Sequence, residues 1–149
     1  VIGGLSGAMP PLLGWSAVTG TIDGGALILV LIIFAWTPPH FWALAIHRKD
    51  EYAKSGVPML PVTHGEHVTK IHIIVYTLML VVVSVFPFFS GMSGLLYLVS
   101  ALALGAGFIG WSGLLMFKPK PSTAMDTFRY SIIYLALLFI ALVVDHYLI

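Results

Sequence analysis

Apolar residues in this chain come in long blocks rather than in alternation, and the blocks predict helices long enough to cross a bilayer. A spanning helix needs about 20 mostly apolar residues, and the stretches 26–46, 71–89, 95–117 and 128–149 meet that requirement. A fifth stretch, residues 2–19 (IGGLSGAMPPLLGWSAVT), is apolar but rich in glycine and interrupted by Pro10 and Pro11. In lipid such a segment is tolerated only where neighbouring helices satisfy its freed backbone groups, so it is predicted to pack inside a bundle. The expected fold is all-α, a polytopic transmembrane helical bundle with five spans in a single domain over 1–149.

The polar positions order the connections. Residues 20–25 (GTIDGG) and 90–94 (SGMSG) have the glycine and serine of short reversals. Residues 47–70 and 118–129 are longer and hold all seven basic residues: Arg48, Lys49, Lys54, Lys70, Lys118, Lys120 and Arg129. Five spans put both connections on one side, which the positive-inside rule makes the cytoplasmic side, or the matrix side of a mitochondrion. Asp23, Asp145 and His146 then fall on the opposite face. Small residues four apart (Ala101 and Gly105, Ala103 and Gly107, Ala106 and Gly110) offer the fourth span a surface for close helix approach.

Composition agrees with the pattern. Hydrophobic residues make up 59% of the chain and charged residues 9%, with a mean hydropathy of +1.02. Soluble domains carry about 25% charged residues, so this chain belongs in a bilayer. A net charge of +1 gives no footing for nucleic acid, and the absence of cysteine excludes disulfides and thiolate chemistry. Val1 opens within an apolar stretch without a charged leader, and the chain is expected to be part of a longer protein.

One connection carries chemistry: WTPPHFWALAIHRKDEY, residues 36–52. Pro38 and Pro39 each remove a backbone donor, so the second span is expected to kink or restart there, with Thr37 as N-cap of a new helix from Pro38 to about Lys54. On such a helix, at about 100° per residue, His40, His47, Asp50, Glu51 and Lys54 share an arc of about 100°, and Trp36 joins it if the helix is continuous. Arg48 and Lys49 point away, toward headgroups. His40 lies inside the apolar HFWALAI, where an ionisable residue faces a bundle interior or a wet cavity. The carboxylates of Asp50 and Glu51 suit a hard divalent cation, Mg²⁺ rather than Zn²⁺, completed by ligands from elsewhere. His64, Glu66 and His67 match no standard zinc spacing and read as a surface loop.

Three stretches, GAMPPLLGWSAVTG (7–20), WTPPHFWALAIHRKDEYAKSGVPMLPV (36–62) and FRYSIIYLALLFIALVVDHYL (128–148), resemble the protohaem IX farnesyltransferases, the haem O synthases of the intramembrane aromatic prenyltransferases. The resemblance runs the whole length in order. It implies about half of a nine-helix fold around a central cavity, with the first aspartate-rich motif (Asn-x-x-x-Asp-x-x-x-Asp) lying upstream of Val1, and this stretch inactive without it. It further implies transfer of a farnesyl group from farnesyl diphosphate to a vinyl group of haem B to form haem O. The second acidic motif of the family maps to HRKDEY, which departs from a plain Asp-x-x-x-Asp by offering His47-x-x-x-Glu51 with Asp50 beside it.

On that reading Asp50, Glu51 and Lys54 act in catalysis, and the two carboxylates hold Mg²⁺. His40, His47, Arg48, Lys49, Tyr52, Trp36 and Trp42 bind substrate, the basic groups facing diphosphate and the rings, with Phe41, facing cation or porphyrin. A histidine, His40 or His47, contacts haem through iron or a propionate. The expected setting is a bacterial inner membrane, multi-pass, with loops 47–70 and 118–127 cytoplasmic. Haem A synthase or a terminal-oxidase assembly would be the neighbouring partner. Two other classes stay open: a transporter, which wants its ionisable cluster at the midplane, and a haem-binding electron-transfer subunit, which wants paired histidines at one depth.

Overall fold

A glycine stop and an acidic cap separate the first two described helices. In the computed structural model, which describes residues 7–56, 60–118, 120 and 122–148, every regular element is a helix. They are α1 (Met9–Thr19), α2 (Gly24–His47), α3 (Lys49–Lys54), α4 (Leu60–His64), α5 (Glu66–Ser84), α6 (Phe86–Phe89), α7 (Leu95–Phe117) and α8 (Thr123–Leu148). Gly20, in the left-handed region at φ 74°, closes α1. Asp23 caps α2 by accepting the N–H groups of Gly25 at 3.1 Å and Ala26 at 3.4 Å.

Among the described residues four helical stretches are long and apolar enough to cross a membrane: Gly24–His47, Glu66–Phe89, Leu95–Phe117 and Thr123–Leu148. The chain is an integral membrane protein. The expected first span is described only from residue 7; residues 2–6 lie outside the described residues. Pro10 and Pro11 do not interrupt α1 but occupy its first turn, where a missing N–H costs nothing.

The long helices close a ring, α2 against α5, α5 against α7, α7 against α8 and α8 against α2, with α1 lying on α2. All four contribute to one core, which includes Ile32, Ala35, Leu80, Val83, Tyr97, Phe108 and Tyr134. A second cluster toward the basic loops joins Ile73, Leu115 and Ala124 to Trp42 and Ile46. Buried hydroxyls fasten the ring where lipid offers no partners. Ser84 Oγ donates to the Leu80 carbonyl at 2.7 Å and so receives the Tyr134 hydroxyl at 2.8 Å, while Tyr97 donates to the Ser84 carbonyl at 2.7 Å.

The helix does not restart at the double proline as expected. α2 runs without interruption from Gly24 to His47, with Pro38 and Pro39 inside it. Thr37 is not an N-cap: its Oγ1 turns back to the Ile33 carbonyl at 2.7 Å, one helical turn earlier. Ile32, Ala35, Pro39 and Ala43 form a buried stripe at helical spacing, so the prolines sit in a packed face held by neighbouring helices.

The chain breaks instead at Arg48, whose φ of −106° and ψ of 24° leave the helical region. α3 then starts afresh, with Asp50 and Glu51 in its first turn and Lys54 in its last, a charge order that suits its own dipole. The small-residue pairs divide too. A Cβ on Gly105 would lie 2.8 Å from Val81 of α5, and one on Gly107 would lie 2.2 Å from the Tyr130 hydroxyl of α8, whereas Gly110 has open space. One predicted approach surface is thus two seams on opposite sides of α7.

Candidate functional site

His40 is the best-defined ionisable group within the spans. Its ring is stacked on Trp36 of its own helix, with centroids 4.2 Å apart, and on Phe128 of α8, 4.6 Å away; Phe41 meets it edge-on at 5.3 Å. Trp36 and His40 are four residues apart and so share one face of α2. That pairing exists because Pro38 and Pro39 leave the helix unbroken.

Both residues dock on Ser131. His40 Nδ1 lies 2.7 Å from Ser131 Oγ, and Trp36 Nε1 donates to the Ser131 carbonyl at 2.8 Å. Ser131 Oγ in turn donates to the Phe128 carbonyl at 2.5 Å. Ser131 is fully buried and continues a stripe with Thr123 and Thr127 along α8. Beside it lies an open groove of about 430 Å³ between α2 and α8, walled by Trp36, His40, Phe128, Ile132, Leu135 and Phe139. That size falls within the range of small-molecule sites, about 300–1,000 Å³. The groove is almost wholly apolar, and His40 is its one ionisable wall residue.

The rest of the expected constellation is spread along the basic end. His47 is on the same face of α2 as His40, about 10 Å farther along the axis, and is exposed. The helix expected to carry His40, His47, Asp50, Glu51 and Lys54 on one arc is divided at Arg48, which leaves the two histidines on α2 and the other three on α3. Asp50, Glu51 and Lys54 lie exposed on α3, with Tyr52 half-buried between them. Lys49 reaches Glu66 at the start of α5, 3.9 Å away, and Arg48 is exposed. Trp42 turns from the groove toward α5, edge-on to His72 at 5.7 Å and to Tyr76 at 5.3 Å.

Among the described residues no three His, Asp or Glu side chains converge as a metal site, which includes His64, Glu66 and His67. Nor does the fold pair His40 with a second histidine: His72 rests on Trp42, and His146 lies beside Tyr147 near the end of α8.

Ser131 and Phe128 are the site residues that the sequence reading left out. A signal existed: Ser131 is the one small polar side chain in the otherwise apolar and aromatic SIIYLALLFIALVV, and a polar group in a span is expected to find a partner on a neighbouring helix. Its pairing with His40, 91 positions away, follows only from the packing of α2 on α8.

Comparison with known proteins adds a family to this geometry. A model described as the UbiA prenyltransferase family matches residues 1–144. The chain is similar to "Protoheme IX farnesyltransferase" of Hahella chejuensis (64% identical over 148 residues) and of Marinobacter nauticus (65% over 147). It is also similar to "Protoheme IX farnesyltransferase 1" of Pseudomonas fluorescens, at 66% over 148 residues. Each alignment covers 99% of this chain, and the chain spans about half the length of the curated relatives it matches. No solved structure matches it.

Proposed function

The chain belongs to the UbiA prenyltransferase family, and from that premise we propose that it takes part in transferring a farnesyl group from farnesyl diphosphate to a vinyl group of haem B, giving haem O. The observation that carries this reading is the 64–66% identity to farnesyltransferases along 99% of the chain. In the proposed reaction the allylic carbon–oxygen bond breaks with its electron pair leaving on diphosphate. The vinyl π pair forms the carbon–carbon bond to the farnesyl cation, and water adds to the carbocation left next to the porphyrin, giving the hydroxyl and releasing one proton to solvent or diphosphate.

The residues present fit Mg²⁺ as part of a shell. Asp50 and Glu51 are adjacent hard carboxylates that make no ion pair among the described residues, the nearby lysine Lys49 being turned to Glu66. Mg²⁺ is commonly held by one or two carboxylates, with water and substrate phosphates completing its octahedron. Bound there, the ion would supply positive charge against the departing diphosphate. Arg48 and Lys54, exposed on either side of the two carboxylates in sequence, offer charge-assisted donors to the same phosphates.

The apolar groove beside His40 receives the hydrocarbon or porphyrin surface. Its Trp36 and Phe128 rings present π-faces, and its lining keeps water from an allylic cation. Residues 47–70 and 118–127 lie on the cytoplasmic side of a bacterial inner membrane, close to the enzymes or oxidase assembly that consume haem O. The test is production of haem O by the full-length polypeptide in membranes given haem B, farnesyl diphosphate and Mg²⁺. Full activity in an Asp50→Ala/Glu51→Ala variant removes the metal assignment; no haem O from the wild type removes the reaction.

A further inference from the structure

We propose that Ser131 is a positioning residue that fixes the proton of His40 on Nδ1, leaving Nε2 as a bare lone pair that ligates the iron of haem B rather than bonding a propionate. The proposal rests on the reading that haem B is the substrate bound beside His40.

The argument is a count of protons. A serine hydroxyl has one hydrogen, and Ser131 Oγ is 2.5 Å from the Phe128 carbonyl oxygen, too close for two oxygens without a proton between them. That hydrogen is therefore committed to Phe128. Ser131 Oγ then meets His40 Nδ1, 2.7 Å away, only as an acceptor, and the Nδ1 hydrogen points at it. In the neutral ring Nε2 carries no hydrogen, and it has no hydrogen-bond partner among the described residues.

Three further contacts hold this state. Stacking on Trp36 and Phe128 blocks rotation of the imidazole about its plane, and the Trp36 N–H to the Ser131 carbonyl ties α2 and α8 at the same point. A bare Nε2 cannot donate to a carboxylate, so a haem propionate is an unsuitable partner. It is the nitrogen that binds metal when the other ring nitrogen is engaged as a donor, the usual arrangement of metal-binding histidines. The adjoining groove is apolar, as a porphyrin face requires.

The experiment has two arms on the full-length polypeptide in nanodiscs. In the first, without haem, ¹⁵N-histidine labelling and NMR identify His40 by the signal lost in His40→Gln. The expected result is a protonated Nδ1 and a bare Nε2 in the wild type, with mixed tautomers in Ser131→Ala. Protonation on Nε2 in the wild type overturns the proposal. In the second arm haem B is titrated and its optical spectrum recorded. A histidine-ligated spectrum, lost in His40→Gln, is expected; Ser131→Ala should weaken haem B affinity about tenfold or more, and Ser131→Thr should restore it. An unchanged spectrum in His40→Gln overturns iron ligation, and unchanged affinity in Ser131→Ala overturns the role of Ser131. The first arm reads Ser131 without substrate, so failure of the haem reading alone leaves the tautomer result standing.

Discussion

The hydroxyl of Tyr134 on α8 donates to Ser84 Oγ on α5 across 2.8 Å at the centre of the bundle, and both residues are fully buried. The backbones of these two helices are not neighbours, since α2 and α7 stand between them in the ring. The bond is therefore a tie across the core. Removing it in Tyr134→Phe leaves Ser84 Oγ donating to Leu80, so no donor is orphaned. Hydrogen bonds between membrane helices average about 0.6 kcal/mol and reach about 1.7. Tyr134→Phe is expected to lower stability by about 1 kcal/mol or less, read as a small downward shift of the thermal midpoint in detergent. A loss of several kcal/mol would show that the ring packing, not the bond, depends on the hydroxyl.

Asp145 offers a stronger test of the opposite end. Its buried carboxylate accepts the N–H of Gly94, the residue that starts α7. Asp145→Ala leaves that N–H without a partner in a half-buried setting, which costs at most about 1–3 kcal/mol. Asp145→Asn keeps an acceptor and should recover most of the loss. Equal destabilisation by both variants would mean that the negative charge, not the acceptor, is what α7 uses.

Three glycines of α7 separate seam from surface. Gly105→Ala forces Val81 to move and Gly107→Ala pushes Tyr130 off the Leu104 carbonyl, to which its hydroxyl donates at 2.7 Å. Gly110→Ala meets nothing within 4 Å and gains the helical preference of alanine, about 0.5–1 kcal/mol. The expected order of stability is Gly110→Ala above wild type, with Gly105→Ala and Gly107→Ala below it, measured by thermal unfolding. A destabilised Gly110→Ala would place another helix against that face.

The helices were legible because apolar block length is a direct reading of bilayer thickness, and 95–117 appears in the structure with the bounds its hydropathy suggests. The restart expected at Pro38 and Pro39 does not occur, because a proline states only what its own backbone loses. Whether a neighbour's packing compensates is a tertiary fact, settled here by the buried stripe through Ala35 and Pro39. The same limit explains the site. His40 stood out as an ionisable group in an apolar segment, but its partners Ser131 and Phe128 lie on α8 and carry no local mark of the pairing. Trp42, two residues from His40, is turned by helical geometry to the other side of α2, a consequence that spacing alone already contained.

At the basic end the charges separate into committed and uncommitted groups, which gives an ordering of activities. The Lys49–Glu66 contact at 3.9 Å is well exposed on both sides, and pairs of that kind contribute about 0–1 kcal/mol. Lys49→Ala should leave stability unchanged. If the proposed reaction holds, then, because Glu66 already offsets part of its charge, Lys49→Ala in the full-length polypeptide should also raise the KM for farnesyl diphosphate less than Arg48→Ala or Lys54→Ala does. Asp50→Ala/Glu51→Ala removes the only adjacent carboxylates on α3, and kcat/KM should fall by about a hundredfold or more, the scale seen when a group facing developing charge is lost. Stability should hold, since both side chains are exposed. The kinetics of the four variants, measured over a Mg²⁺ series, check the ordering: a lost Mg²⁺ dependence confined to the carboxylate variant supports metal binding there. If Lys49→Ala proves the most damaging of the basic variants, Glu66 orients that lysine toward the diphosphate instead of competing for it.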